Sequence, residues 1–286
     1  MNNKKYKIVE IVAWSVVAVV LTVVLVGFMH KNSFEIDGLF GIKSDSKMKS
    51  IKEYTIDDMD QLKNISVDMS QGKVELTESE DDNIYIIFKS NKDIDSEKYL
   101  EVDKSSSALD IKTVQKSKIH FTNNTSMGIE LQIPKSYNQD LNIVTDVGDV
   151  KVREELNLKN LSVNTDVGDI KLDKDIKCDL YEIKTDTGDI KISSIDGKGS
   201  IESDIGDIKC GIDGIRGDID IVSNIGDVDL DVSRDLEFKL KTDKLPDDMD
   251  IDFDNISKDD DFYGEYGENP LHVISVKVDV GNLDIE

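Results

Sequence analysis

Five copies of a short motif place aspartates where they could do chemistry. The central glycines are Gly148, Gly168, Gly188, Gly206 and Gly226, spaced 20, 20, 18 and 20 residues apart. Two residues before them stand Asp146, Asp166, Asp186, Asp204 and Asn224. Directly after them stand Asp149, Asp169, Asp189, Asp207 and Asp227. If the copies stack, these residues form two carboxylate columns. Carboxylates that close repel, and a hard cation with carboxylate and carbonyl ligands would relieve the repulsion. Calcium is therefore the candidate ligand, and the nine aspartates its candidate site. The units match neither the Gly-rich nonapeptide calcium repeat nor the EF-hand loop. A simpler reading needs no metal. Lys151, Lys171, Lys191 and Lys209 share a face with the second column and can pair with it diagonally. The first column is expected to make Asx turns. Apart from calcium, no cofactor is expected.

Other chemistry is not supported. The three histidines, His30, His120 and His272, are scattered and match no nucleophile–base–orienter arrangement. Cys178 and Cys210 lack CxxC spacing, and a structural zinc site needs about four nitrogen or sulfur ligands. No phosphate-binding glycine loop is present. Carboxylate pairs occur throughout so acidic a chain and carry no information. The chain is not expected to be an enzyme.

The elements that must position the aspartates follow from the same units. These are LNIVTDVGDVKV (141–152), LSVNTDVGDIKL (161–172), YEIKTDTGDIKI (181–192), GSIESDIGDIKC (199–210) and IDIVSNIGDVDL (219–230). Apolar residues alternate with polar ones at period two. Ile143, Val163, Ile183, Ile201 and Ile221 align, as do Val150, Ile170, Ile190, Ile208 and Val228. This predicts two short strands per unit with one face buried. A unit so small cannot bury its own face, so neighbours must stack, which is the logic of a solenoid. The fold class is all-β, a parallel β-solenoid with rungs of about 20 residues. At roughly 4.8 Å per rung, five rungs span about 25 Å, a lower limit if the flanks add more. Cys210 falls in the inward column, whereas Cys178 falls in the connection between units. No disulfide is therefore expected.

Hydrophobic residues make up 38% of the chain and aromatics 6%, which suits a thin Val/Ile/Leu core. The net charge of −25 argues against nucleic acid and against docking on anionic lipid. It favours cationic partners, and it also serves solubility. Ile11 to Met29 carries no charged side chain and is long enough to cross a membrane. Lys4, Lys5 and Lys7 precede it, so the N-terminus is expected inside and the body outside. The apolar run exceeds that of a secretory signal peptide, and no A-x-A-like cleavage site follows. It reads as an uncleaved signal-anchor that forms a single N-terminal transmembrane helix.

The expected organisation is a cytoplasmic tail (1–7), an anchor (8–29), a tether (30–54) and a β-solenoid (55–286). The regular rungs span 141–235, and irregular caps span 55–140 and 236–286. The T-D-x-G-D-[IV]-K-[IVL] repeat resembles the bacterial putative-adhesin domain family. ISVDMSQGKVELTES (65–79) and NIYIIFKS (83–90) resemble its opening strands. IELQIPKSYNQDLNIVTDVGDV (129–150) resembles its entry into the rungs, and ISVKVDVGNLDIE (274–286) its closing pair. The resemblance implies a cell-envelope β-solenoid without a catalytic motif. Some relatives are linked to envelope-stress responses and antimicrobial-peptide sensing, and the family name suggests adhesion. The leading expectation is a non-enzymatic interaction module for an envelope protein, a cationic peptide or a wall polymer. The alternative is a sensor or modulator of envelope-stress signalling that acts through a membrane partner.

Overall fold

The computed structural model describes residues 48–57, 59, 61–114, 125–243, 249–252 and 264–286. The expected tail, anchor and first part of the tether lie outside the described residues, as do His30 and His120. Among the described residues, no helix is long and apolar enough to cross a membrane. All the described strands belong to one compact unit, Met48–His120 with Met127–Glu286.

Nineteen strands build that unit, in chain order. The first seven are β1 (Lys49–Ile56), β2 (Asn64–Met69), β3 (Lys73–Glu78), β4 (Ile84–Ser90), β5 (Leu100–Lys104), β6 (Ala108–Thr113) and β7 (Met127–Ile133). The repeats supply β8 (Asp140–Val147), β9 (Val150–Val152), β10 (Leu156–Val167), β11 (Ile170–Thr187), β12 (Ile190–Ile205), β13 (Ile208–Ile225) and β14 (Val228–Val232). The last five are β15 (Phe238–Thr242), β16 (Met249–Ile251), β17 (Gly264–Tyr266), β18 (Val273–Val280) and β19 (Leu283–Ile285).

The period-two pattern produces the expected parallel stack. Ile143, Val163, Ile183, Ile201 and Ile221 stand in mutual register on one side, and Val150, Ile170, Ile190, Ile208 and Val228 on the next. All ten are at most 1% exposed. Each fully buried Val or Ile contributes about 1.5–3 kcal/mol of transfer free energy. Stacking makes that burial continuous.

The rungs differ from the expectation in two ways. First, the connection between units is itself sheet. Leu156, Asn157 and Leu158 pair in register with Ile176, Lys177 and Cys178, giving each middle rung a third side. Cys178 therefore lies in the core at 1% exposure, not in a loop. Both cysteines are free and buried. Second, the regular stack extends into both flanks, and its order is not the chain order. β2 and β3 pair directly with β8 and β9, and β6 and β7 pair with β2 and β3. At the far end β18 and β19 pair with β13 and β14, and β15 and β16 pair in turn with β18 and β19. Parallel in-register pairing permits this, because a rung needs only a matching inward column and not sequence adjacency.

The caps are antiparallel. β5 closes on β6, β4 and then β1 close on β7, and β17 closes on β15. Phe238 and Tyr266 stack there with centroids 4.5 Å apart. β1 carries Lys49 and Lys52 and a register shift between Ser50 and Lys52. Lysines and a bulge blunt an edge against further pairing.

The 18-residue rung has its own packing. Tyr181 occupies the inward column at 1% exposure, beneath Gly197 and Gly199 of the next rung. A Cβ at Gly199 would lie 1.9 Å from the Tyr181 carbonyl oxygen and 2.9 Å from its ring Cδ2, and one at Gly197 2.5 Å from the Cys178 carbonyl oxygen, so the two glycines let the backbones approach as well as admitting the ring. The Tyr181 hydroxyl is buried without a hydrogen-bond partner. Leaving a buried polar group unpaired costs about 1–3 kcal/mol. Tyr181→Phe is therefore expected to raise Tm by about 2–4 °C for each kcal/mol recovered, read by thermal melting. A lower Tm would show that the hydroxyl is satisfied.

Candidate interaction face at the glycine corner

The repeat turns a corner at each glycine, where side chains serve the backbone carbonyl and N–H of the following peptide. The peptide after the glycine points its carbonyl inward and its N–H outward. Thr145, Thr165, Thr185, Ser203 and Ser223 lie in the inward column at 0–1% exposure. The Thr165, Thr185 and Ser203 hydroxyls donate to the glycine carbonyls of the preceding rung, Gly148, Gly168 and Gly188, at 3.1–3.3 Å. Ser223 donates to Gly226 of its own rung at 3.2 Å. These hydroxyls satisfy carbonyls that would otherwise be buried unpaired.

The second aspartate column serves the N–H side. The backbone N–H groups of Asp169, Asp189, Asp207 and Asp227 donate to Oδ1 of Asp149, Asp169, Asp189 and Asp207 of the preceding rung at 2.9–3.1 Å. Asn282 N–H continues the ladder onto Asp227 at 2.8 Å. These aspartates are structural acceptors. Lys151 and Lys171 reach Asp173 at 3.1 and 3.4 Å, and Lys209 reaches Asp229.

The first column is arranged differently. Asp146, Asp166 and Asp186 are exposed and Asp204 is half-buried. The Thr or Ser one residue earlier donates to a glycine carbonyl, a different bond from the Asx turn expected of these aspartates. Their own contacts are with side chains: Asn224 Nδ2 donates to Asp204 at 2.9 Å, and Lys184 lies 3.8 Å from Asp186. Partial burial, with the charges of Asp166 and Asp68 beside it, holds the Asp146 carboxyl above its usual range.

Among the described residues, no three Asp, Glu, His or Cys side chains converge as a metal cluster. One oxygen of each carboxylate from Asp149 to Asp227 already accepts a backbone N–H. Of the histidines, His272 is described. Its carbonyl accepts the Lys239 N–H at 2.9 Å.

Between the two columns runs an apolar ridge that the sequence reading passed over. Val147, Val167, Thr187, Ile205, Ile225 and Val280 stand in register across six successive rungs. The first five are half-buried, and Val280 is 56% exposed. Five steps of about 4.8 Å make the ridge about 24 Å long. It is the variable position of T-D-x-G-D, and its recurrence as Val or Ile was the available signal. The corner thus offers an apolar line flanked on both sides by surface carboxylates, those of the second column each with one oxygen held by a backbone N–H.

The Toastrack DUF4097 family model matches residues 62–196 and 175–286. No curated protein sequence matches. Among solved structures, the fold is similar to a putative adhesin from Bacteroides fragilis, 16% identical, with a TM-score of 0.48 over 84% of this chain and 97% of that one. It is also similar to a putative cell adhesion protein from Clostridium sporogenes, 14% identical, with a TM-score of 0.41 over 82% and 98%. A putative adhesin from Parabacteroides distasonis is 14% identical, with a TM-score of 0.39 over 85% and 98%. These three scores fall below 0.5, so the assignment rests on the family match. That match spans nearly all the described strands, and the chain belongs to the Toastrack DUF4097 family, the putative-adhesin domain that its repeat resembles.

Proposed function

We propose that the chain is a non-enzymatic interaction module of the cell envelope. One N-terminal helix anchors it in the cytoplasmic membrane, and its solenoid engages an envelope protein, a cationic peptide or a wall polymer. The observation that carries this reading is the first aspartate column beside the apolar ridge. Both columns lie at the surface, but each carboxylate of the second gives one oxygen to a backbone N–H of the next rung, whereas the first takes no part in that ladder. Of the three partner types, a cationic peptide with an apolar side matches this corner best. Exposed ion pairs contribute about 0–1 kcal/mol each, and the ridge has no aromatic anchor, so affinity is expected to be micromolar at best.

The test is a calorimetric titration of the full chain, in nonionic detergent, with a cationic amphipathic peptide and a neutral analogue. The cationic peptide is expected to bind more tightly. Its binding should weaken as salt shortens the screening length below about 8 Å. Equal binding of the two peptides, or indifference to salt, would remove the electrostatic reading. Orientation is tested separately. The lysines before the anchor predict that protease added to intact protoplasts digests the solenoid, and full protection would overturn that topology.

A further inference from the structure

A cavity of about 310 Å³ opens at the shoulder of the stack, where the segment before β2 meets the segment between β7 and β8. Its lining is mixed, with Met59, Leu62 and Tyr137 as the apolar part, Leu62 and Tyr137 being buried. Tyr137 donates its hydroxyl to the Asp140 carbonyl at 2.6 Å, which fixes the ring. Its rim is amide-rich: Gln61, Asn138 and Gln139. Gln139 Nε2 donates to Asn138 Oδ1 at 2.6 Å, which leaves Gln139 Oε1 to accept and Asn138 Nδ2 to donate. Ser136 and Lys63 complete the lining.

Small-ligand sites combine an apolar wall with a few placed polar groups, and about 300 Å³ is the lower end of their range. An amide rim recognises groups that both donate and accept. The apolar part takes a methyl group or the face of a ring. We infer that the cavity binds one N-acetylated hexosamine unit of a wall glycan. The acetamido group would pair with Asn138 and Gln139, its methyl would lie against Leu62 and Tyr137, and the ring hydroxyls would meet Gln61 and Ser136. This deepens the interaction-module reading by assigning a wall-polymer site away from the glycine corner.

The experiment is saturation-transfer NMR on the full chain in a polyoxyethylene detergent. The probes are a tetramer of β1,4-linked N-acetylglucosamine and the corresponding glucose tetramer. Transfer to the acetyl methyl groups is expected for the first probe, with at least about fivefold weaker binding of the glucose tetramer, the loss of one neutral hydrogen bond. Gln61→Ala with Asn138→Ala is expected to weaken binding by a similar factor. Both residues are exposed, so circular dichroism should be unchanged. Equal transfer to both tetramers, no transfer, or an unaffected variant would overturn the site. The same samples are titrated with the cationic peptide. Retained peptide binding would show that the sugar site alone fails, and loss of both activities would sink the wider reading as well.

Discussion

Ile190→Asp is expected to unfold the stack, with loss of the β-sheet circular dichroism signal at temperatures where the native chain is folded. Ile190 is 1% exposed and is paired in register with Ile170 on one side and Ile208 on the other. A carboxylate there has no cation and cannot reach water from mid-array. Burial of an unpaired charge is among the largest single-residue penalties, and a cost above about 4–5 kcal/mol is expected. Lys191 is the neighbour on the same strand and faces outward. Lys191→Asp should therefore stay within about 0.5–1 kcal/mol of the native chain, as a surface substitution does. A normal melt for Ile190→Asp would mean that the inward register is wrong.

Gly206→Ala is expected to be nearly as damaging, for a backbone reason. Gly206 has φ +149°, and a Cβ there would lie 1.9 Å from the Gly188 carbonyl oxygen and 2.5 Å from its carbon. The obstacle is the backbone of the preceding rung, so the clash cannot be relieved by rotating a side chain. Relief requires opening the stack at a point where Gly206 N–H donates to Ile205's pairing partner across the rungs, the Ile225 carbonyl, at 2.9 Å. A loss above about 4 kcal/mol is expected from steric strain and broken ladder bonds together. Gly217→Ala is the matched control. Its Cβ would meet the Lys198 side chain, which can move, and a change within about 1 kcal/mol is expected. Chemical denaturation of both variants measures the difference. Similar losses would show that the glycine corner is not close-packed.

The contrast between the corner and the strands explains what could be read in the sequence. The inward columns of Ile143 and Ile190 were legible because a one-residue slip would move every apolar side chain to the solvent face. The Thr and Ser column at 145, 165, 185, 203 and 223 was as regular but was not interpreted. A hydroxyl within an alternating strand gives no sign of which carbonyl it serves until the rungs are stacked. The acceptor role of the second aspartate column was not legible for the same reason: it depends on an N–H one rung away. The third side at 156–158 and 176–178 was missed because Asn157 and Lys177 point outward in so short a segment that period two cannot be distinguished from a loop. The early rungs were recognisable as strands, but their direct pairing with β8 and β9 joins residues 76 positions apart, such as Asn64 with Asp140, a separation that no local pattern encodes.

The central claim is that the first aspartate column serves recognition and the second serves the fold. The most direct measurement is the affinity of the cationic peptide for the full chain and for the triple variant Asp146→Asn, Asp166→Asn and Asp186→Asn. These three side chains are exposed and take no part in the backbone ladder. The variant should therefore melt like the native chain. Three exposed charge pairs at about 0–1 kcal/mol each predict binding weaker by about tenfold, or about 1.4 kcal/mol, with a shallower salt dependence. Unchanged affinity in a variant that folds normally would contradict the account.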